Sequence, residues 1–164
     1  MIFFTSDTHF CHNNIIKYCN RPYRNSKEMD EDLIQRWNYV VSKGDTVYHL
    51  GDFALGKKPD VARIRQSLNG NIEFIWGSHD KGRANLFGHK RYLMTIKYKG
   101  QKIVLCHYPI LSWQSRGQGS WHLFGHVHGR VKGVGKSMDV GVDSWGYFPI
   151  SIDRIFSEMR IKEE

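Results

Sequence analysis

Cysteine is scarce in this chain of 164 residues: there are three, Cys11, Cys19 and Cys106, an odd number with no CxxC pair. A disulfide framework is therefore not expected, which suits a reducing compartment. Proline occurs only 4 times, and the 16 glycines follow no period, so proline-rich and collagen-like chains are excluded. Long apolar runs are missing as well. The stretch Ile2-Phe3-Phe4 falls far short of the ~18 consecutive apolar residues that a membrane span requires. It is also not preceded by the basic region of a signal peptide, so the expectation is a cytoplasmic protein with no membrane partner. Disorder is excluded by 40% hydrophobic and 13% aromatic content, enough to bury one sizeable core.

Two features stand out. The formal charge is +8, which attracts anions such as phosphate esters, nucleotides or nucleic acid, although a merely soluble basic surface would read the same. There are also nine histidines. No linker or repeat divides the chain, and residues 1–164 read as a single domain.

Strand and helix patterns alternate along the sequence. An apolar strand, Ile2 to Thr5, ends abruptly in Ser6-Asp7. Residues 28–42 carry Met29, Leu33, Trp37, Val40 and Val41 at helical spacing, with Ser26 as the expected N-cap and Gly44 as terminator. Thr46 to Leu50 reads as a strand running into Gly51-Asp52. A helix with Pro59 in its first turn and Val61, Ile64 and Leu68 on one face follows. The strand Ile72 to Trp76 ends in Gly77-Ser78-His79-Asp80. Leu93 to Tyr98 and Lys102 to Cys106 flank a Lys99-Gly100-Gln101 turn and predict a hairpin. Leu123-Phe124 leads into Gly125-His126-Val127-His128-Gly129, Met138 to Val142 reads as a strand, and Ile152 to Ile161 as a closing helix. The alternation argues for an α/β fold, and the late hairpin for a mixed sheet. In such folds the carboxyl ends of strands converge on the binding crevice, so residues spread from position 7 to position 128 can meet.

The residues at those ends are Asp7, His9, Asp52, His79, His107, His126 and His128. Carboxylates with imidazoles suit borderline divalent ions such as Mn, Fe, Zn, Ni or Co. There are too many candidate ligands for one ion, which suggests two. In extended backbone, residues i and i+2 face the same side, so Asp-x-His and His-x-His can each address one centre. Singly, a histidine at a strand end is more often a surface or hydrogen-bonded residue than a ligand, and a lone Gly-Asp is a turn; Gly-His-x-His-Gly is the stronger element, and their joint order gives them weight.

The series Asp7-Thr8-His9, Gly51-Asp52, Gly77-Ser78-His79-Asp80, His107 and Gly125-His126-Val127-His128 resembles the signature of the calcineurin-like metallophosphoesterase superfamily. Residues 10–23, including Asn14-Ile15-Ile16-Lys17-Tyr18-Cys19-Asn20-Arg21-Pro22, further resemble small bacterial and phage members. The resemblance implies a four-layer sandwich of two facing mixed β-sheets flanked by helices. It implies one ion held by Asp7, His9, Asp52 and His128. A second would be held by Asp52, residue 78, His107 and His126, with Asp52 bridging, and Mn would be the foremost candidate metal. Hydroxide between the ions would attack a phosphate ester in line. His79 would contact substrate or protonate the leaving oxygen, and Asp80 would orient its imidazole.

The chain departs from the pattern at Ser78, where the family carries Asn. A hydroxyl is shorter and a poorer donor than an amide oxygen, so the second ion is expected to be weakly held or to take a water there. Outside the signature, His12 is a candidate for substrate phosphate. His49 reads as buried and hydrogen-bonded, His89 and His122 as surface or rim residues, and Asp139 and Asp143 as turn and edge residues. Lys81, Arg83, Lys90 and Arg91 read as a solvated basic face.

The function implied is a phosphoesterase, with a phosphodiester or nucleotide-like substrate favoured by the charge. The alternatives are a phosphomonoesterase and a non-catalytic interaction module, of which the superfamily includes a retromer subunit. Retention of His79 and of every ligand except the one at 78 counts against the module.

Overall fold

Period-two burial builds the first sheet. In β1 (Ile2–Thr5), Phe3 packs towards one face and Phe4 towards the other. The computed structural model, which describes residues 1–81 and 87–161, pairs β1 in parallel with β2 (Thr46–His49). β2 pairs in parallel with β3 (Asn71–Phe74). A short β8 (Ile150–Ser151) closes the other edge antiparallel to β1, giving the order β3-β2-β1-β8.

The second sheet has the order β4-β5-β6-β7, built from Leu93–Tyr98, Gln101–Cys106, Trp121–Phe124 and Ser137–Asp139. Its β4–β5 pair is the expected hairpin. Tyr98 faces Gln101, and Lys99 and Gly100 both have positive φ (45° and 87°), the two-residue turn that matches strand twist. Both sheets are thus mixed. Phe4, Leu50 and Ile75 from the first meet Ile103, Leu105 and Leu123 from the second in one buried layer.

Helices α2 (Ser26–Val40) and α3 (Lys58–Ser67) cover the other face of the first sheet with the stripe Met29, Leu33, Trp37 and with Val61 and Ile64. Each such burial is worth roughly 1.5–3 kcal/mol. The N-cap of α2 is Asn25, one residue before the expected Ser26, and its side chain accepts from the Glu28 N–H at 3.0 Å. A short helix, α1 (Asn13–Tyr18), had no clear periodic signature in sequence. The last helix, α4 (Ile152–Ile161), seats Ile152, Ile155 and Met159 at the seam between the sheets. Among the described residues, no helix is long and apolar enough to cross a membrane.

His122 departs from expectation. It is fully buried on β6, 3.1 Å from the Val104 carbonyl, accepts from the Ile110 N–H, and has the Trp113 ring against it at 5.3 Å. β6 begins at Trp121, so His122 lies within the strand rather than on a rim. His89 is exposed and His49 is buried, bonded to the Thr8 hydroxyl, both as expected. Lys81, Lys90 and Arg91 are exposed, while Arg83 lies outside the described residues.

Candidate metal centre

Every candidate ligand sits just past a strand of one sheet or the other. Asp7 and His9 follow β1, Asp52 follows β2, His107 follows β5, and His126 and His128 follow β6. The turns bring them together in two groups: Asp7, His9 and His128; and Asp52, His107 and His126. Within each group the nitrogen and oxygen atoms lie within 4.8 Å of one another. Asp52 Oδ2 reaches towards both, 3.7 Å from His9 Nε2 and 3.4 Å from His107 Nε2.

The backbone geometry is not the extended one read from Asp-x-His and His-x-His. Asp7, His9, Asp52, His126 and His128 all have positive φ, between 49° and 72°. Left-handed backbone at a non-glycine residue costs energy and gathers where function requires a particular side-chain direction. Glycines supply the close approaches that these turns need. A Cβ on Gly77 would overlap the Asp52 carboxylate, and one on Gly125 would overlap Ser6 Oγ and Asp7 Oδ2.

Hydrogen bonds fix which atom of each ligand is free. Asp7 Oδ2 accepts the His126 N–H at 2.8 Å, leaving Oδ1 buried without a partner. His9 Nε2 is buried and unpartnered too. His107 Nδ1–H donates to the Leu50 carbonyl at 2.8 Å, which turns Nε2 towards Asp52. Two unpartnered ligand atoms in one buried group are costly unless a cation takes them. This donor set of carboxylates and imidazoles fits a borderline divalent ion.

Electrostatics agree with that fit. Burial pushes the Asp7 carboxyl up to about 6. Burial also holds His9 well below the ordinary histidine value, despite the nearby Asp52 charge. For Asp52, burial acts upwards, but the His107 hydrogen bond and charge outweigh it and hold the carboxyl well below its usual range. A cation at the centre would offset the burial of Asp7, and the ionised Asp52 and neutral His9 are the forms that ligate one.

Ser78 stands beside the second group. Its hydroxyl donates to Asp52 Oδ2 at 3.0 Å. His79 donates its backbone N–H to Asp52 Oδ1 at 2.8 Å, and its half-exposed ring stands 5.5 Å from the His9 ring. Asp80 does not orient that ring. Its carboxylate is buried under backbone amides, accepting from Asp52 and Gly77 at 2.8 Å and from Phe53 at 3.0 Å. The sharp turn at Gly77 aims residue 80 back at the Asp52 loop, so Asp80 holds the backbone of Asp52 and Phe53.

His12 Nδ1 lies 3.2 Å from His9 Nδ1, and His12 and His79 line a cleft of about 390 Å³ with Tyr18, Leu55 and Arg130. Asp139 and Asp143, read as turn and edge residues, are both part of the scaffold here. Asp139 accepts from the Gly129 N–H, and Asp143 lies 2.8 Å from His128 Nδ1. No spacing pattern links Asp143 to His128, fifteen residues before it, which is why sequence missed the pair.

Comparison with known proteins places the chain in a family. It is 44% identical over 163 residues to the uncharacterized protein MJ1445 of Methanocaldococcus jannaschii, covering 94% of this chain and 88% of that protein. The chain belongs to the same family as that protein. It is also similar to the Gene 66 protein of Mycobacterium phage L5, at 25% identity over 93% of this chain and 91% of the phage protein. Among solved structures, the protein of unknown function AQ665 from Aquifex aeolicus matches with a TM-score of 0.79 and 28% identity, covering 96% of this chain and 98% of that one. No family model matches the chain.

Proposed function

We propose that the chain is a dinuclear metal-dependent phosphoesterase of the calcineurin-like class, a single-domain cytoplasmic enzyme acting on a phosphodiester or nucleotide-like substrate. The observation that carries this reading is Asp52 Oδ2 between two ligand groups, one of which holds two buried ligand atoms without partners.

Asp7, His9, Asp52 and His128 would hold one ion; Asp52, His107 and His126 the other, with Ser78 beside them. When bound, the ions, with Mn foremost, supply a Lewis-acid pair that activates water and neutralises charge on the phosphoryl oxygens. The protein's own part is orientation and proton transfer. The His79 backbone is anchored on Asp52, and its ring stands at the mouth of the cleft, within reach of a leaving oxygen as proton donor. His12 and Arg130 put further donors along the same cleft for the phosphate's remaining oxygens. Tyr18 and Leu55 give it an apolar wall suited to a base or sugar rather than to a bare phosphate.

A panel of phosphomonoesters, linear and cyclic phosphodiesters and oligonucleotides, assayed with added Mn, Ni or Zn, tests the reading. Mn-stimulated hydrolysis of bis-p-nitrophenyl phosphate, abolished by chelation, is the expected result. A folded protein that hydrolyses nothing in the panel with any of the three metals would overturn it in favour of a non-catalytic interaction module.

A further inference from the structure

Arg21 lies in the segment between the first ligand pair and α2, whose sequence stands out without carrying any ligand. Its side chain is buried and makes four hydrogen bonds to oxygen atoms, besides one from Nη1 to Met29 Sδ at 3.4 Å. Nε and Nη2 each donate to one oxygen of Asp143, both at 2.8 Å. Nη2 also donates to the Asp7 carbonyl at 2.7 Å, and Nη1 to the Thr8 carbonyl at 3.0 Å. The guanidinium fork suits this bidentate pairing, which a lysine cannot reproduce. Asp143, in the 3₁₀ turn Val142–Ser144, in turn accepts from His128 Nδ1–H at 2.8 Å. One arginine thus ties the Asp7-Thr8 backbone to the carboxylate that orients His128, although Asp143 lies 122 residues beyond Arg21 in the chain.

Cys19 also approaches His128 and Asp143 closely enough to suggest a separate soft-metal site. Arg21 counts against it, because its guanidinium already sets a positive charge against both Asp143 oxygens.

We infer that Arg21 and Asp143 are positioning residues for one ion of the pair. They fix the His128 ring with Nδ1–H on Asp143 and Nε2 towards the metal, and they hold the turn that presents Asp7. The affinity of the Asp7–His9–His128 group therefore depends on them, while the Asp52–His107–His126 group does not. The inference rests on the metal reading of the site.

Titration of the intact chain with Mn alone tests it by calorimetry, comparing wild type with Asp143→Asn and Arg21→Lys. Partners of this kind typically matter about 10–100-fold in metal affinity, so each variant should weaken one binding step by that factor and leave the other unchanged. Equal weakening of both steps, or unchanged binding, overturns the inference. Wild-type protein that takes up no Mn overturns the metal reading itself, a distinguishable result. A measurement without substitution covers variants that fold poorly: nitrogen-15 NMR of the Zn-loaded wild type should show His128 protonated at Nδ1. Protonation at Nε2 would contradict the inference.

Discussion

Asp52 Oδ2 lies near both groups of candidate ligands, whereas His79 is anchored by its backbone N–H and keeps its half-exposed ring outside both groups, with Nε2 3.9 Å from Asp52 Oδ2. The two should therefore fail differently. His79→Ala should keep metal content and lose roughly 10²–10⁴-fold in rate, the usual worth of a general acid. Asp52→Ala should lose metal as well as rate. Metal analysis of the two variants beside their turnover checks this, and equal metal loss in both would contradict the division of roles. Ser78 spends its hydroxyl proton on Asp52 and offers only a short side chain. Ser78→Asn should tighten the second Mn binding step and raise activity at limiting metal; an unchanged metal dependence would show that residue 78 lies outside the ligand set. The same residues set a pH dependence. Without metal, burial raises Asp7 to about 6. For His107 and His128 burial acts downwards, but the hydrogen bonds to Asp52 and Asp143 outweigh it and leave both above the ordinary value. A raised pKa keeps the proton on to higher pH, and each of these groups must lose it to ligate. Mn affinity should therefore fall as pH drops from about 7.5 to about 5.5, with proton release on binding growing in step. Calorimetry in buffers of different ionisation enthalpy measures both, and a pH-independent affinity would contradict it.

The turns between elements carry the site's precision, and they explain what the sequence did and did not make legible. Apolar periodicity located β1, β2, α2, α3, the hairpin and α4 because each buries one regular face. The candidate ligands were legible because each falls just beyond a strand, half of them beside a glycine. What stayed hidden was long-range or irregular. The left-handed φ of Asp7, His9 and His128 has no signature in residue type, and Asp143 and Arg21 acquire meaning only when distant turns meet. Asp80 was misassigned because proximity in sequence to His79 says nothing about which way a tight turn points its carboxylate. Gly77 gives this a test. Gly77→Ala places a methyl group against Asp52, so metal content and activity should drop while far-ultraviolet circular dichroism stays that of the wild type. Full activity in the alanine variant would show that the close approach is not needed.

Across the whole molecule, two mixed sheets face each other and direct their carboxyl-terminal turns to one edge, which lets six candidate ligands from four strand ends meet. The surface around that edge belongs to a chain of formal charge +8. Such a field draws polyanions and is screened by salt. KM for an oligonucleotide should rise several-fold between ~50 and ~200 mM salt, while KM for bis-p-nitrophenyl phosphate, with one charge, should change little. Equal salt dependence for both would remove charge as a guide to the substrate. The pair of ions is what an anomalous difference map from Mn-loaded crystals would reveal. Two peaks ~3.5–4 Å apart, bridged by Asp52, with one against Asp7, His9 and His128 and the other against His107 and His126, is the predicted result. A single peak, or none at these residues in Mn-saturated crystals, would contradict it.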